Sequence, residues 1–85
     1  MNQSEIAGRI EQFVRTQFSI SPSDPNFGPG ADLFEGGYVD SVGLAELLAF
    51  IEAEFGVSVP DDDLLSEQFG TIDGMADTVC GLANS

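Results

Sequence analysis

The chain has no histidine, no lysine and no tryptophan, and only two arginines, Arg9 and Arg15, among 85 residues. Without histidine, neither a Ser–His–Asp nor a Cys–His catalytic unit can be assembled from this chain alone. Without lysine, Schiff-base chemistry is absent as well. Two cations against fifteen acidic side chains leave a formal net charge of −13. Nucleic-acid binding rests on cations that neutralise phosphates and release counterions, so nucleic acid and anionic membrane surfaces are poor partners. A single cysteine, Cys80, rules out an intrachain disulfide and fits a reducing compartment. No apolar run approaches bilayer-spanning length, and Met1–Glu5 offers no basic region followed by an apolar stretch. A cytoplasmic location is expected.

What is present points to a folded domain. Hydrophobic residues make up 42% of the chain, too many for a disordered acidic tail. Seven Phe and one Tyr can anchor a small core. The length predicts one domain over residues 1–85, and a monomer is expected. Its stability should lie in the range of about 4–13 kcal/mol, lowered by repulsion among the acids.

Three segments carry helical periodicity. From Ser4 to Phe18, the positions Ile6, Ile10, Phe13, Val14 and Phe18 form an apolar stripe. Ser4 is the expected cap, and Arg9 and Arg15 are expected to point away from the stripe. Residues 19–37 contain three prolines and four glycines and read as a long loop, with Phe27, Leu33, Phe34 and Tyr38 as apolar anchors. Ser41 to Phe55 has the strongest amphipathic pattern, with Leu44, Leu47, Leu48, Ile51 and Phe55 on one side. Asp40 suits its N-cap, and Gly56 suits its end. Val57–Pro60 reads as an extended connector with Val59 inward, and Asp61–Asp63 as a solvated acidic turn. A single helical turn is expected near Ser66–Phe69. A last helix from about Thr71 to Leu82 is capped by Thr71, with a stripe of Ile72, Met75, Ala76, Val79 and Ala83. Gly74 and Gly81 should weaken it by roughly 1 kcal/mol each relative to Ala. The fold class is all-α: a small bundle of three principal helices plus one short helix, with a long structured loop between the first two.

Gly37-Tyr38-Val39-Asp40-Ser41-Val42-Gly43-Leu44 is the most informative local stretch. Ser41 lies where a glycine-bearing loop meets a capped helix. A serine there is expected to be exposed, and a helix N-terminus favours a nearby anion. Both conditions suit a hydroxyl that receives a phosphate ester. The plainer reading is that Asp40 and Ser41 only start a helix.

The wider pattern runs from Asp32 to Leu44, through Glu46-Leu47, and from Ile51 to Asp61; Phe69, Thr71 and Ile72 add to it. It resembles the acyl carrier protein family over nearly the whole chain, least over residues 19–31. The resemblance implies that Ser41 carries 4′-phosphopantetheine, moved from coenzyme A by a separate phosphopantetheinyl transferase. Acyl or aminoacyl groups would ride on the arm as thioesters. A loading ligase or transferase and a downstream synthase or acyltransferase are then implied partners. The chain would be a non-catalytic carrier, one domain over residues 1–85. Where the family usually has Leu after the serine, this chain has Val42, which puts the identity of the partner enzyme in doubt. Gly43, the Phe34–Tyr38 segment and the long loop lean toward carriers of polyketide or nonribosomal-peptide-type metabolism. Fatty-acid and D-alanyl carriers remain alternatives, as does an acidic interaction module with no prosthetic group. Candidate cargos are an aminoacyl group, a glyceryl or related small polyketide unit, and an unusual starter acid.

Opposite the core stripe of the second helix lie Val42, Glu46, Ala49 and Ala53, flanked by Glu52 and Glu54. With Asp40, they form a shallow apolar strip edged by carboxylates and starting beside Ser41. In the family this helix docks against basic patches, and electrostatic steering favours fast, reversible encounters. An ordinary solvated face is the alternative.

Two lookalikes fail. Asp24 to Glu35 places Asp24, Asn26, Asp32 and Glu35 at oxygen-ligand positions of an EF-hand loop. The sixth position, which needs glycine for its turn, is Pro29. No metal site is expected there or at Asp61–Asp63. Cys80 has no base or cation to lower its pKa and reads as a partly buried structural thiol. The charge balance yields a direct prediction. Screening should relieve repulsion among the acids, so added NaCl or Mg²⁺ will raise the melting temperature in a thermal scan. A melting temperature that stays flat across salt concentrations would contradict it.

Overall fold

The computed structural model describes residues 1–84. Among them are four α-helices, α1 (Gln3–Gln17), α2 (Ser41–Phe55), α3 (Asp61–Leu64) and α4 (Ile72–Ala83), and a 3₁₀ turn, Glu67–Gly70, but no strand. The expected all-α bundle with a long loop between its first two helices is the observed one.

Helix α1 buries Ile6, Ile10 and Val14, three positions four residues apart, and packs most closely on α4. Its cap differs from expectation. Asn2 Oδ1 accepts from the Glu5 N–H at 2.9 Å, and Ser4 lies inside the first turn. The geometry requires the capping oxygen three residues before the N–H it accepts, and the chain becomes helical one residue earlier than the apolar periodicity shows. Arg15 also departs from expectation: its guanidinium lies 4.6 Å from the centre of the Phe27 ring. A guanidinium over an aromatic face is attracted by the ring quadrupole, and the Arg15 Nε still donates to Glu11 at 3.1 Å.

The loop between α1 and α2 is held by its own side chains. Asp24 Oδ1 accepts from the Asn26 N–H, and Asp32 Oδ1 accepts from the N–H groups of Phe34 and Glu35. Tyr38 donates its phenol to Asp24 Oδ2 at 3.0 Å. Desolvation, and then the adjacent Asp24 carboxylate, raise the Tyr38 pKa above its ordinary value, so the phenol remains a donor. Phe27, Leu33 and Val39 enter the core, and Phe34 and Tyr38 pack half-buried against it. Two backbone bonds join the loop to the far end of the chain: Leu33 N–H to the Gly70 carbonyl, and Asp73 N–H to the Pro29 carbonyl.

Helix α2 buries Gly43, Leu47 and Ile51, with Leu44, Leu48 and Phe55 half-buried beside them. It stops at Gly56, which takes the left-handed conformation, φ 66°. Val59 turns inward from the connector, as its alternation suggests. The acidic run is not a loop turn. Asp61–Leu64 is a short helix behind Pro60, with all three carboxylates in its first turn, where the helix dipole favours them. The turn expected near Ser66–Phe69 is the 3₁₀ segment, shifted by one residue. At the end of α4, Ala83 is exposed and Leu82 packs against the core instead.

Gly74 reverses its expected role. Thr71 caps α4 through Oγ1 to the Gly74 N–H at 2.9 Å. A Cβ at position 74 would run into the carbonyl of Gln68 in the 3₁₀ turn. Glycine is what lets that turn lie directly on α4. Gly81, by contrast, has no atom within 4 Å of an added Cβ. Gly74→Ala should therefore destabilise by about 2–3 kcal/mol through overpacking against fixed backbone. Gly81→Ala should stabilise by about 0.5–1 kcal/mol. Urea denaturation of the two variants checks both signs.

Candidate functional site

The start of α2 is built by Asp40. Its backbone is extended (φ −104°, ψ −171°), and its Oδ1 accepts from the Gly43 N–H at 2.8 Å. Its carbonyl accepts from the Leu44 N–H, also at 2.8 Å. These bonds satisfy part of the first turn and hold the carboxylate beside the helix. Ser41 is the first helical residue and is exposed. Among the described residues, nothing engages its hydroxyl, and the N–H groups of Ser41 and Val42 have no protein acceptor. The site is thus a free hydroxyl on the end of a helix that favours an anion. Neither histidine nor lysine stands beside it, since the chain contains none, and the adjacent Asp40 carboxylate is engaged by the Gly43 N–H.

Beside that hydroxyl stand the Asp40 carboxylate on one side and Val42, 68% exposed, on the other; the first turn of α2 itself carries no acidic side chain. Further along, Ala49 and Ala53 are exposed on the same helix, and so is Glu46. The acids differ in how they are held. Glu46 accepts from the Gln17 side-chain amide at 2.7 Å, which ties α1 to α2. Glu52 is half-buried, and its Oε2 accepts from the Val59 N–H at 3.0 Å. Glu54 pairs with Arg9 at 2.6 Å. The structure therefore brings Asp40, Ser41 and Val42 together at the helix start and exposes Glu46, Ala49 and Ala53. It places Glu52 differently, since that carboxylate holds the connector in place.

Leu65 escaped notice in the sequence. It is 85% exposed, just after α3, while neighbouring Leu64 packs against the core. The available signal was the position of the pair: a four-residue helix has room for little inward surface, and Leu65 falls at its cap. Phe18 and Gly43 also went unremarked as a pair. Gly43 falls in register with Leu47 and Ile51 on the buried side, and a glycine on an apolar helix face marks a close approach.

Comparison with known proteins bears on this geometry. A family model described as "Phosphopantetheine attachment site" matches residues 8–79. The "Acyl carrier protein" of Thermosynechococcus vestitus is 34% identical over 79 residues, spanning 93% of this chain and 93% of that protein.

The capping role of Asp40 is separable from its charge. Asp40→Ala should cost about 1 kcal/mol, while Asp40→Asn, which keeps the accepting oxygen, should cost much less. Chemical denaturation of both variants distinguishes a cap from an uncommitted surface acid.

Proposed function

This chain belongs to the acyl carrier protein family, and we propose that it carries a small acyl or aminoacyl group on a prosthetic group attached at Ser41. The family's group is 4′-phosphopantetheine, held covalently, whose terminal thiol takes the cargo as a thioester. The observation that carries the assignment to Ser41 is its exposed, unengaged hydroxyl at the capped start of α2. In the attachment reaction the Ser41 oxygen attacks a phosphorus of coenzyme A, and one O–P bond forms. The bond from that phosphorus to the nucleotide part breaks, and the nucleotide part leaves. The serine proton passes to a base on the phosphopantetheinyl transferase, since the one carboxylate adjacent to Ser41, Asp40, is committed to the helix cap. Ser41 and Val42 N–H groups then face the new phosphodiester's end of the helix, where negative charge is favoured.

The chain does no chemistry of its own in this reading. Its whole length, residues 1–85, acts as one monomeric carrier unit in the cytoplasm. The docking face comprises Asp40, Val42, Glu46, Ala49, Glu52 and Ala53. Val42, Ala49 and Ala53 give shallow apolar contact, and the carboxylates around them attract a basic enzyme surface. Glu52 contributes charge to that face while its hydrogen bond holds Val59. The transferase, a loading ligase or acyltransferase and a downstream synthase would use this face in turn. The absence of any acid in the first turn of α2 supports enzymes of polyketide or nonribosomal-peptide type over those of fatty-acid synthesis.

Incubation with coenzyme A, Mg²⁺ and a broad-specificity phosphopantetheinyl transferase should add the mass of one phosphopantetheine. Ser41→Ala should abolish the addition while leaving the melting temperature near that of the wild type. A folded wild-type chain that gains no mass would favour an acidic interaction module without a prosthetic group.

A further inference from the structure

The two residues that flank Ser41 at equal distance, Val39 and Gly43, are both buried, while Ser41 and Val42 face solvent. What covers Gly43 comes from α1. A Cβ at position 43 would lie 2.7 Å from Phe18 Cε1 and 3.1 Å from Cζ, with Val39 Cγ1 at 3.2 Å. The edge of the Phe18 ring therefore occupies the place where any other residue's side chain would begin. The backbone of Gly43 is ordinary helix, so what glycine gives here is space: any side chain would have to displace the Phe18 ring.

The ring is held from behind. Phe18 meets Phe13 edge-on, with centroids 6.4 Å apart and planes at 88°. Phe13 in turn stacks on Phe50 of α2, at 4.2 Å and 11°. The backbone after Phe18 is also constrained. Ser19 has φ 52°, and no other non-glycine residue among those described has positive φ. Ser19 ends α1 in the left-handed conformation common one residue past a helix cap, and the bond from the Ile20 N–H to the Arg15 carbonyl closes the turn over it. That turn fixes the backbone that carries the Phe18 ring.

We propose that the contact of Phe18 with Gly43 is a positioning device, which fixes the first turn of α2 and so sets where Ser41 presents its hydroxyl to a modifying enzyme. Asp40 anchors the same turn through its cap, from the solvent side. Phe18 anchors it from the core side. Ser41 is thereby held between two fixed neighbours and needs no contact of its own.

The proposal rests on Ser41 as the modified residue, and its test separates the two. The initial rate of phosphopantetheine addition is followed by intact mass at several carrier concentrations, well below each variant's melting temperature. Gly43→Ala should lower kcat about 10-fold, because small misplacements of a reacting atom are costly. Its KM for the carrier should change by less than about twofold, because the exposed docking face is untouched. Phe18→Leu removes the two ring atoms that meet the added methyl, so the double variant Gly43→Ala with Phe18→Leu should regain most of the lost kcat. A purely structural role predicts wild-type kcat in every folded variant, whatever its melting temperature. That result overturns the proposal, as does a double variant no faster than Gly43→Ala alone. If Gly43→Ala does not fold, Phe18→Ala replaces it; this variant frees the first turn without adding an atom, and wild-type kcat in it is equally fatal. Failure of the wild type itself to gain mass is a different result and overturns the Ser41 assignment along with the positioning role.

Discussion

Leu33 ties the middle of the long loop to the rest of the protein through its side chain and both of its backbone groups at once. Its side chain is fully buried. Its N–H donates to the Gly70 carbonyl, and its own carbonyl accepts from the N–H groups of both Tyr38 and Val39. Burying one such side chain is worth about 1.5–3 kcal/mol, and each satisfied backbone group avoids the cost of burying it unpaired. The loop would otherwise be a long entropic liability. Because Val39 is held by the same carbonyl, the constraint reaches to within two residues of Ser41. The presentation of that serine depends on a leucine with no chemistry.

The seam between α1 and α2 follows a different principle. Their backbones do not approach as closely as those of α1 and α4. Side chains bridge the space in four rungs: Phe18 with Gly43, Gln17 with Glu46, Phe13 with Phe50, and Arg9 with Glu54. The order of the rungs makes the two helices antiparallel. The rung nearest Ser41 is the contact at buried Gly43, and the one at the opposite end is an exposed ion pair, of a kind worth about 0–1 kcal/mol.

The large negative charge is accommodated by placement. Glu5, Asp61–Asp63 and Asp73 lie in the first turns of their helices, where the dipole favours them. Glu52 and Glu54 lie near the C-terminal end of α2, where the dipole does not, and each has a partner, the Val59 N–H and Arg9. Arg15 pairs with Glu11, so both cations of the chain are engaged. Among the described residues, no charged side chain is buried.

The three long helices, most of their buried faces, the cap at Asp40 and the serine behind it could be read from the order of residues. These features obey periods of a few residues and hydrogen bonds spanning three, so neighbours along the chain contain the information. The cap at Asn2 and the short helix at Asp61–Leu64 are local departures; the others arise where the deciding neighbour is distant. Gly74 reads as a weak helix position until the Gln68 carbonyl is found lying on it. Glu52 reads as a free surface acid until the connector folds back and offers it the Val59 N–H. Arg15 reads as solvated until Phe27 arrives beneath it. Sequence by itself determined an all-helical, acidic chain of the acyl carrier pattern, with Ser41 at the start of its second long helix. Only the tertiary structure decided what packs on the first turn of that helix, because the Phe18 ring fills the space beside Gly43, and excluded volume between distant residues leaves no trace in local spacing.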